Sequence, residues 1–117
     1  MRNSIVHEKS KAFSVRIINL NKYLSNEKKE YVISKQVLRS GTSIGANITE
    51  ALQGQSKPDF IAKLSIALKE ASETEYWLES LYKTNYLTEK QYFSMKKDCI
   101  ELIKLLTSII KKTKNNI

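Results

Sequence analysis

The chain has one histidine, His7, beside Glu8, and one cysteine, Cys99, far from both. With the carboxylates Glu70 and Glu73 three residues apart, these are the side chains whose types could do acid–base, nucleophilic or metal chemistry. A metal site inside a helical bundle needs Glu-x-x-His pairs on inward faces, and a lone histidine near the N-terminus cannot supply them. Glu70 and Glu73 have helical spacing, but no histidine or third acid shares the inner stripe of their segment, so ion pairs with Arg39 or Lys69 are expected instead. Cys99 assisted by His7 would lack an orienting acid, which favours a buried structural thiol. Gly54-Gln55-Ser56-Lys57 has the wrong spacing for a phosphate loop and runs into Pro58. Arg2 and His7 stand too near the chain start to form a helical ribonuclease pair. Neither catalysis, a metal nor a cofactor is expected.

Charge is the more informative chemistry. Twenty Lys and Arg against twelve Asp and Glu give +8, distributed as +5 over residues 1–54, −2 over 56–81 and +5 over 82–117. Such a balance favours RNA or DNA through counterion release, and it also raises solubility. The candidate phosphate contacts are Lys9, Lys11, Arg16, Lys22, Lys97, Lys104, Lys111 and Lys112. Each is also what a solvated helix face would carry. No exposed aromatics are expected among them, so any binding should be phosphate-driven rather than stacking.

The segments that position these residues read as helices, because apolar residues recur at three- and four-residue steps in four blocks. Helix 1, about 5–24, carries Val6, Phe13, Ile17, Leu20 and Leu24 on one stripe, then a polar turn. Helix 2, about 30–52, groups Ile33, Val37, Ile44, Ile48 and Ala51 and stops at Gly54, suited to a left-handed cap. Ser56, Pro58 and Asp59 form a strong start signal for helix 3, about 57–83. Thr88-Glu89-Lys90-Gln91 is a capping box opening helix 4, which turns Tyr92, Met95, Cys99, Leu102, Ile103, Leu106, Ile109 and Ile110 inward. The basic tail, 111–117, is expected to fray. Short connections predict an up-down-up-down antiparallel four-helix bundle, one domain over 1–117. The longest charge-free stretch, 40–49, is half of what a membrane span needs, roughly 20 residues. With no signal-peptide pattern and one cysteine, a cytoplasmic protein is expected.

Two helices carry more apolar surface than one bundle uses. On a wheel of about 100° per residue with Leu64 at zero, Phe60, Ile61, Ala67, Leu68, Ala71, Leu78 and Tyr82 lie within about 60°. Ile66, Glu73 and Trp77 fall at about 180–220°, where an isolated bundle would expose them. On helix 2, Val32, Arg39, Ala46 and Glu50 group likewise opposite Val37. Scattered surface apolar residues are ordinary, but a tryptophan with an isoleucine eleven residues before it favours self-association. The expected interface residues are Arg39, Ala46, Glu50, Ile66, Glu70, Glu73 and Trp77, with tryptophan and arginine as anchors. Gly41 and Gly45 inside helix 2 cost roughly 1 kcal/mol each against Ala and therefore predict close approach by a neighbour. Asn47 faces the core side and should need internal hydrogen bonds.

Two long runs carry a family resemblance. Arg39-Ser40-Gly41-Thr42-Ser43-Ile44-Gly45-Ala46-Asn47-Ile48-Thr49-Glu50-Ala51, then Ser56 with Asp59-Phe60, then Lys63-Leu64-Ser65-Ile66-Ala67-Leu68-Lys69-Glu70-Ala71-Ser72-Glu73-Thr74-Glu75-Tyr76-Trp77-Leu78, resemble the bacterial four helix bundle protein family. That family is also called the 23S ribosomal RNA intervening-sequence protein family, some members being encoded inside insertions in ribosomal RNA genes. The resemblance implies a bundle that assembles into a ring, with a homopentamer as the expected state. A family similar in fold and ring assembly, the accessory variability determinant of diversity-generating retroelements, associates with a reverse transcriptase and nucleic acid, a role that reaches this chain by analogy only. The leading expectation is a non-enzymatic oligomeric adaptor binding RNA or DNA. The alternative is a protein-only scaffold that binds another polypeptide, its charge serving solubility.

Overall fold

Four helices follow one another, α1 (Asn3–Asn26), α2 (Ile33–Leu52), α3 (Lys57–Lys83) and α4 (Glu89–Asn115), with no strand among the described residues. The computed structural model describes residues 3–116, with side chains from residue 5; Arg2 and Ile117 lie outside them. Each helix packs on its neighbour in the chain and α1 also meets α4, while no contact joins α1 to α3 or α2 to α4 among the described residues. The α2–α3 side is therefore opposite the α1–α4 side. The bundle measures 49 × 21 × 20 Å.

Local chemistry sets the helix ends. Ser56 Oγ accepts the Asp59 N–H and Pro58 fills the first turn of α3. Thr88 and Gln91 bond each other's backbone reciprocally, the expected capping box. α3 closes with a Schellman arrangement: Asn85 takes φ 69°, Tyr86 N donates to Leu81 O, and Asn85 N donates to Tyr82 O.

Two expected ends are different. α2 begins at Ile33 rather than near residue 30, because Glu30 stays outside the helix and turns its carboxylate onto the first turn. Glu30 Oε2 accepts from Val32 N and Ile33 N at 3.2 and 3.0 Å, and Oε1 accepts from Ser34 N at 2.6 Å. Gly54 does not supply a left-handed cap; no glycine has positive φ. A Cβ there would lie 2.6 Å from Asp59 Oδ2 and 3.1 Å from the Ala51 carbonyl, so close approach by the next helix start explains that residue.

Phe13, Ile17, Val37, Ile44, Ile48, Leu64, Leu78, Leu81, Leu102 and Leu106 fill the core. Gly41 and Gly45 lie where α1 presses on α2: a Cβ at Gly41 would meet Ile17, and one at Gly45 would meet the hydroxyls of Ser10 and Ser14. Asn47 is half-buried and its amide donates to Ser43 O at 2.8 Å, one turn back.

Candidate assembly face and nucleic-acid interface

The side chains with chemical potential are occupied structurally. His7 Nε2 lies 3.0 Å from Thr49 Oγ1, whose own proton goes to the Gly45 carbonyl at 2.8 Å, so the imidazole donates and ties α1 to α2. Cys99 is fully buried, with Sγ 3.2 Å from Ala71 O, and burial pushes its thiol up to about 12. At neutral pH it is therefore a neutral core group. Among the described residues no three His, Cys, Asp or Glu side chains are grouped to hold a metal ion, and no helix is long and apolar enough to cross a membrane.

The α2–α3 side holds the residues expected to join copies, and it binds several of them within one chain. Arg39 Nη1 donates to Glu70 Oε2 at 3.0 Å, Arg39 Nη2 donates to Glu73 Oε2, and the Trp77 indole N–H donates to the same Glu73 oxygen at 3.0 Å. Ser40 and Thr74 hydroxyls, 2.9 Å apart and buried, bridge the helices beneath them. Glu50 pairs with Lys63 at 3.0 Å.

Trp77 is not the solvent-facing residue that the wheel predicts; it is half-buried and packs on the core. The reason lies in the choice of zero. The buried residues of α3 are Leu64, Ala67, Ala71, Thr74, Leu78 and Leu81, whose mean direction is about 310° on that wheel, because α3 faces both α2 and α4. Leu64 stands at one edge of the stripe and Trp77 just beyond the other, beside α2. What faces water is Ile66, 43% exposed, and Tyr76, 60% exposed, whose ring meets Trp77 edge-on at 4.9 Å. Val32, just before α2, and Arg39, Ala46 and Glu50 on it are all exposed, Val32 at 70%. Tyr76 had no signal on the wheel as drawn, being placed between the two stripes.

The triad has a pH signature. The Trp77 indole and then the Arg39 guanidinium hold the Glu73 carboxyl below its usual range, and Glu73 in turn raises Arg39. A depressed carboxylate contributes stability that is present above its unfolded pKa, about 4.3, and is lost as pH falls through the folded value. Trp77 emission should therefore titrate with a midpoint below about 4.3. A midpoint above that range would mean the indole contact does not persist in solution.

The basic candidates divide into two sets. Lys9 pairs with Glu101 at 3.2 Å, Lys11 with Glu8 at 3.1 Å, and Arg16 with Asp98 at 2.6 Å while also donating to Ser94. Lys22, Lys97, Lys104, Lys111 and Lys112 are exposed and make no ion pair among the described residues. Exposed aromatics are not absent from this side, contrary to the expectation: Phe93 is 49% exposed on α4. It sits between Lys90 and Lys97, and a count back by four from Lys97 would have found that pairing in the sequence.

Comparison with known proteins agrees with this architecture. Residues 2–108 match the family described as 23S rRNA-intervening sequence protein. Among solved structures the chain is similar to a protein of unknown function from the S23 ribosomal protein family of Bacteroides thetaiotaomicron VPI-5482. The TM-score is 0.93 and the identity 63%, covering 95% of this chain and 99% of that one. A search of curated proteins finds no match. With nine-tenths of its length matched by one family and a solved relative of the same fold, the chain belongs to the 23S rRNA-intervening sequence protein family.

Proposed function

We propose that the chain is a non-enzymatic cytoplasmic adaptor that assembles with copies of itself through the α2–α3 side and offers the α1–α4 side to RNA or DNA. The carrying observation is how the carboxylates are used. Of the four carboxylates on α1 and α4, Glu8, Asp98 and Glu101 are held by Lys11, Arg16 and Lys9, and only Glu89, at the start of α4, is left among the exposed lysines, which therefore dominate the charge of this side. Phosphate neutralisation by such a surface is strongly salt-dependent. RNA affinity is expected to fall at least tenfold between about 50 and 200 mM salt, measured by fluorescence anisotropy. Salt-independent binding, or none, together with a captured polypeptide, would favour the protein-only scaffold.

Up-down-up-down packing is supported by the order of contacts. His7 meets Thr49 and Asn21 meets Ser34; Arg39 meets Glu73 and Glu50 meets Lys63; Ala71 meets Cys99 and Tyr82 stacks on Tyr92. In each pair one chain number rises as the other falls. Assembly, with the pentamer implied by the family resemblance, is supported by exposed Val32, Ile66 and Tyr76, apolar side chains that water solvates poorly. Ile66→Arg is the cleaner test, since Ile66 takes part in no intrachain ion pair, whereas Arg39→Glu also breaks the contacts of Arg39 with Glu70 and Glu73. Light scattering should show Ile66→Arg reduced toward the 13.5 kDa chain with its helix content intact. An unchanged mass would exclude this face.

A further inference from the structure

Four lysines, Lys90, Lys97, Lys104 and Lys111, recur at intervals of seven along α4, and all four are exposed. Seven residues turn a helix through about 700°, so each lies only about 20° from the last, in a nearly straight row with a spacing of about 10.5 Å. The six buried residues of α4, Tyr92, Met95, Cys99, Leu102, Leu106 and Ile110, centre on the opposite side, at about 180° from Lys97. The row therefore points straight into solvent and runs for roughly 32 Å. None of its members makes an ion pair among the described residues; of the acids of the helix, Asp98 and Glu101 turn toward α1 to meet Arg16 and Lys9, and Glu89 stays exposed beside Lys90 at the helix start.

Phe93 stands beside this row, three residues after Lys90 and four before Lys97, about 40–60° round the helix from them. Half of its surface is open, and the rest is braced by Tyr92 at 5.0 Å and Tyr82 at 6.2 Å, centroid to centroid. Lys96 Nζ lies 5.9 Å from the ring centroid. A fixed, half-open aromatic ring among cations is what an unpaired base can stack on, with its flanking phosphates reaching the lysines. Duplex bases are already stacked on each other and present no free face. We infer that α4 is a track for single-stranded nucleic acid, with Phe93 as the stacking platform at one end and Lys90, Lys97, Lys104 and Lys111 as the phosphate row.

This inference rests on the polyanion-binding reading above and narrows it, and one experiment separates the two. The probes are a labelled oligouridine of about twelve nucleotides and an RNA duplex of the same length, followed by anisotropy across salt. The expected result is tighter binding to oligouridine than to duplex by about tenfold, with Phe93→Leu losing about that factor for oligouridine alone and Phe93→Trp retaining it. Lys97→Glu with Lys104→Glu should weaken both probes and flatten the single-strand salt slope by about 1.4. Phe93→Leu keeps apolar bulk, and unchanged helical circular dichroism confirms that it folds. Equal binding of both probes, indifferent to Phe93→Leu but weakened by the lysine pair, would overturn the single-strand track and leave polyanion binding standing. No binding of either probe at about 50 mM salt would remove both.

Discussion

Gly41→Val should unfold at much lower denaturant than the parent chain, with a loss of about 3 kcal/mol. A Cβ at this position would lie 2.7–2.8 Å from three carbons of Ile17, a distance that real side chains do not tolerate. Ile17 is fully buried and branched at Cβ, so it has no alternative rotamer to move into, and relief requires α1 to shift away from α2. Removing a helical glycine ordinarily stabilises by up to about 1 kcal/mol, which the overlap exceeds. Gly45 supplies the internal comparison. There the nearest atoms are the Ser10 and Ser14 hydroxyl oxygens at 3.3 and 3.4 Å, which can adjust by small rotations. Gly45→Ala should therefore remain within about 1 kcal/mol of the parent. Urea unfolding followed by helical circular dichroism measures both, and a Gly41→Val chain as stable as the parent would show that the α1–α2 approach is looser than described.

Glu30→Ala should cost about 2–3 kcal/mol, more than an ordinary helix cap, because one carboxylate serves three backbone donors. Val32 is exposed and its N–H can turn to water, whereas Ser34 is buried and its N–H, 2.6 Å from Oε1, would be left with nothing. The negative charge also sits at the positive end of α2. Glu30→Gln keeps one acceptor oxygen without the charge and should lose about half as much. Amide hydrogen exchange tests the location as well as the size: protection should fall at Val32, Ile33 and Ser34 first. Loss spread evenly along α2 would point to a packing role for Glu30 instead.

These two residues also show what was legible and what was not. The starts of α3 and α4 were readable because Ser56–Asp59 and Thr88–Gln91 complete their bonds within four residues. Glu30 is no farther from its partners, yet it was read as the first residue of the helix it caps. Its geometry depends on the left-handed Lys29, φ 55°, and on Glu30 N bonding back to Leu24 O, neither of which has a distinctive sequence pattern. The glycines of α2 announced a close neighbour but could not say that it would be Ile17.

Periodicity and capping chemistry, both short-range, were enough to set the number of helices, most of their ends and the residues of the core. Which edge of a helix is covered was settled by packing. Trp77 is half-buried because α2 lies beside it, and Lys9 and Arg16 lost their availability to Glu101 and Asp98 on α4. Such outcomes depend on groups brought together from distant parts of the chain, and a wheel drawn for one helix contains no term for its neighbours.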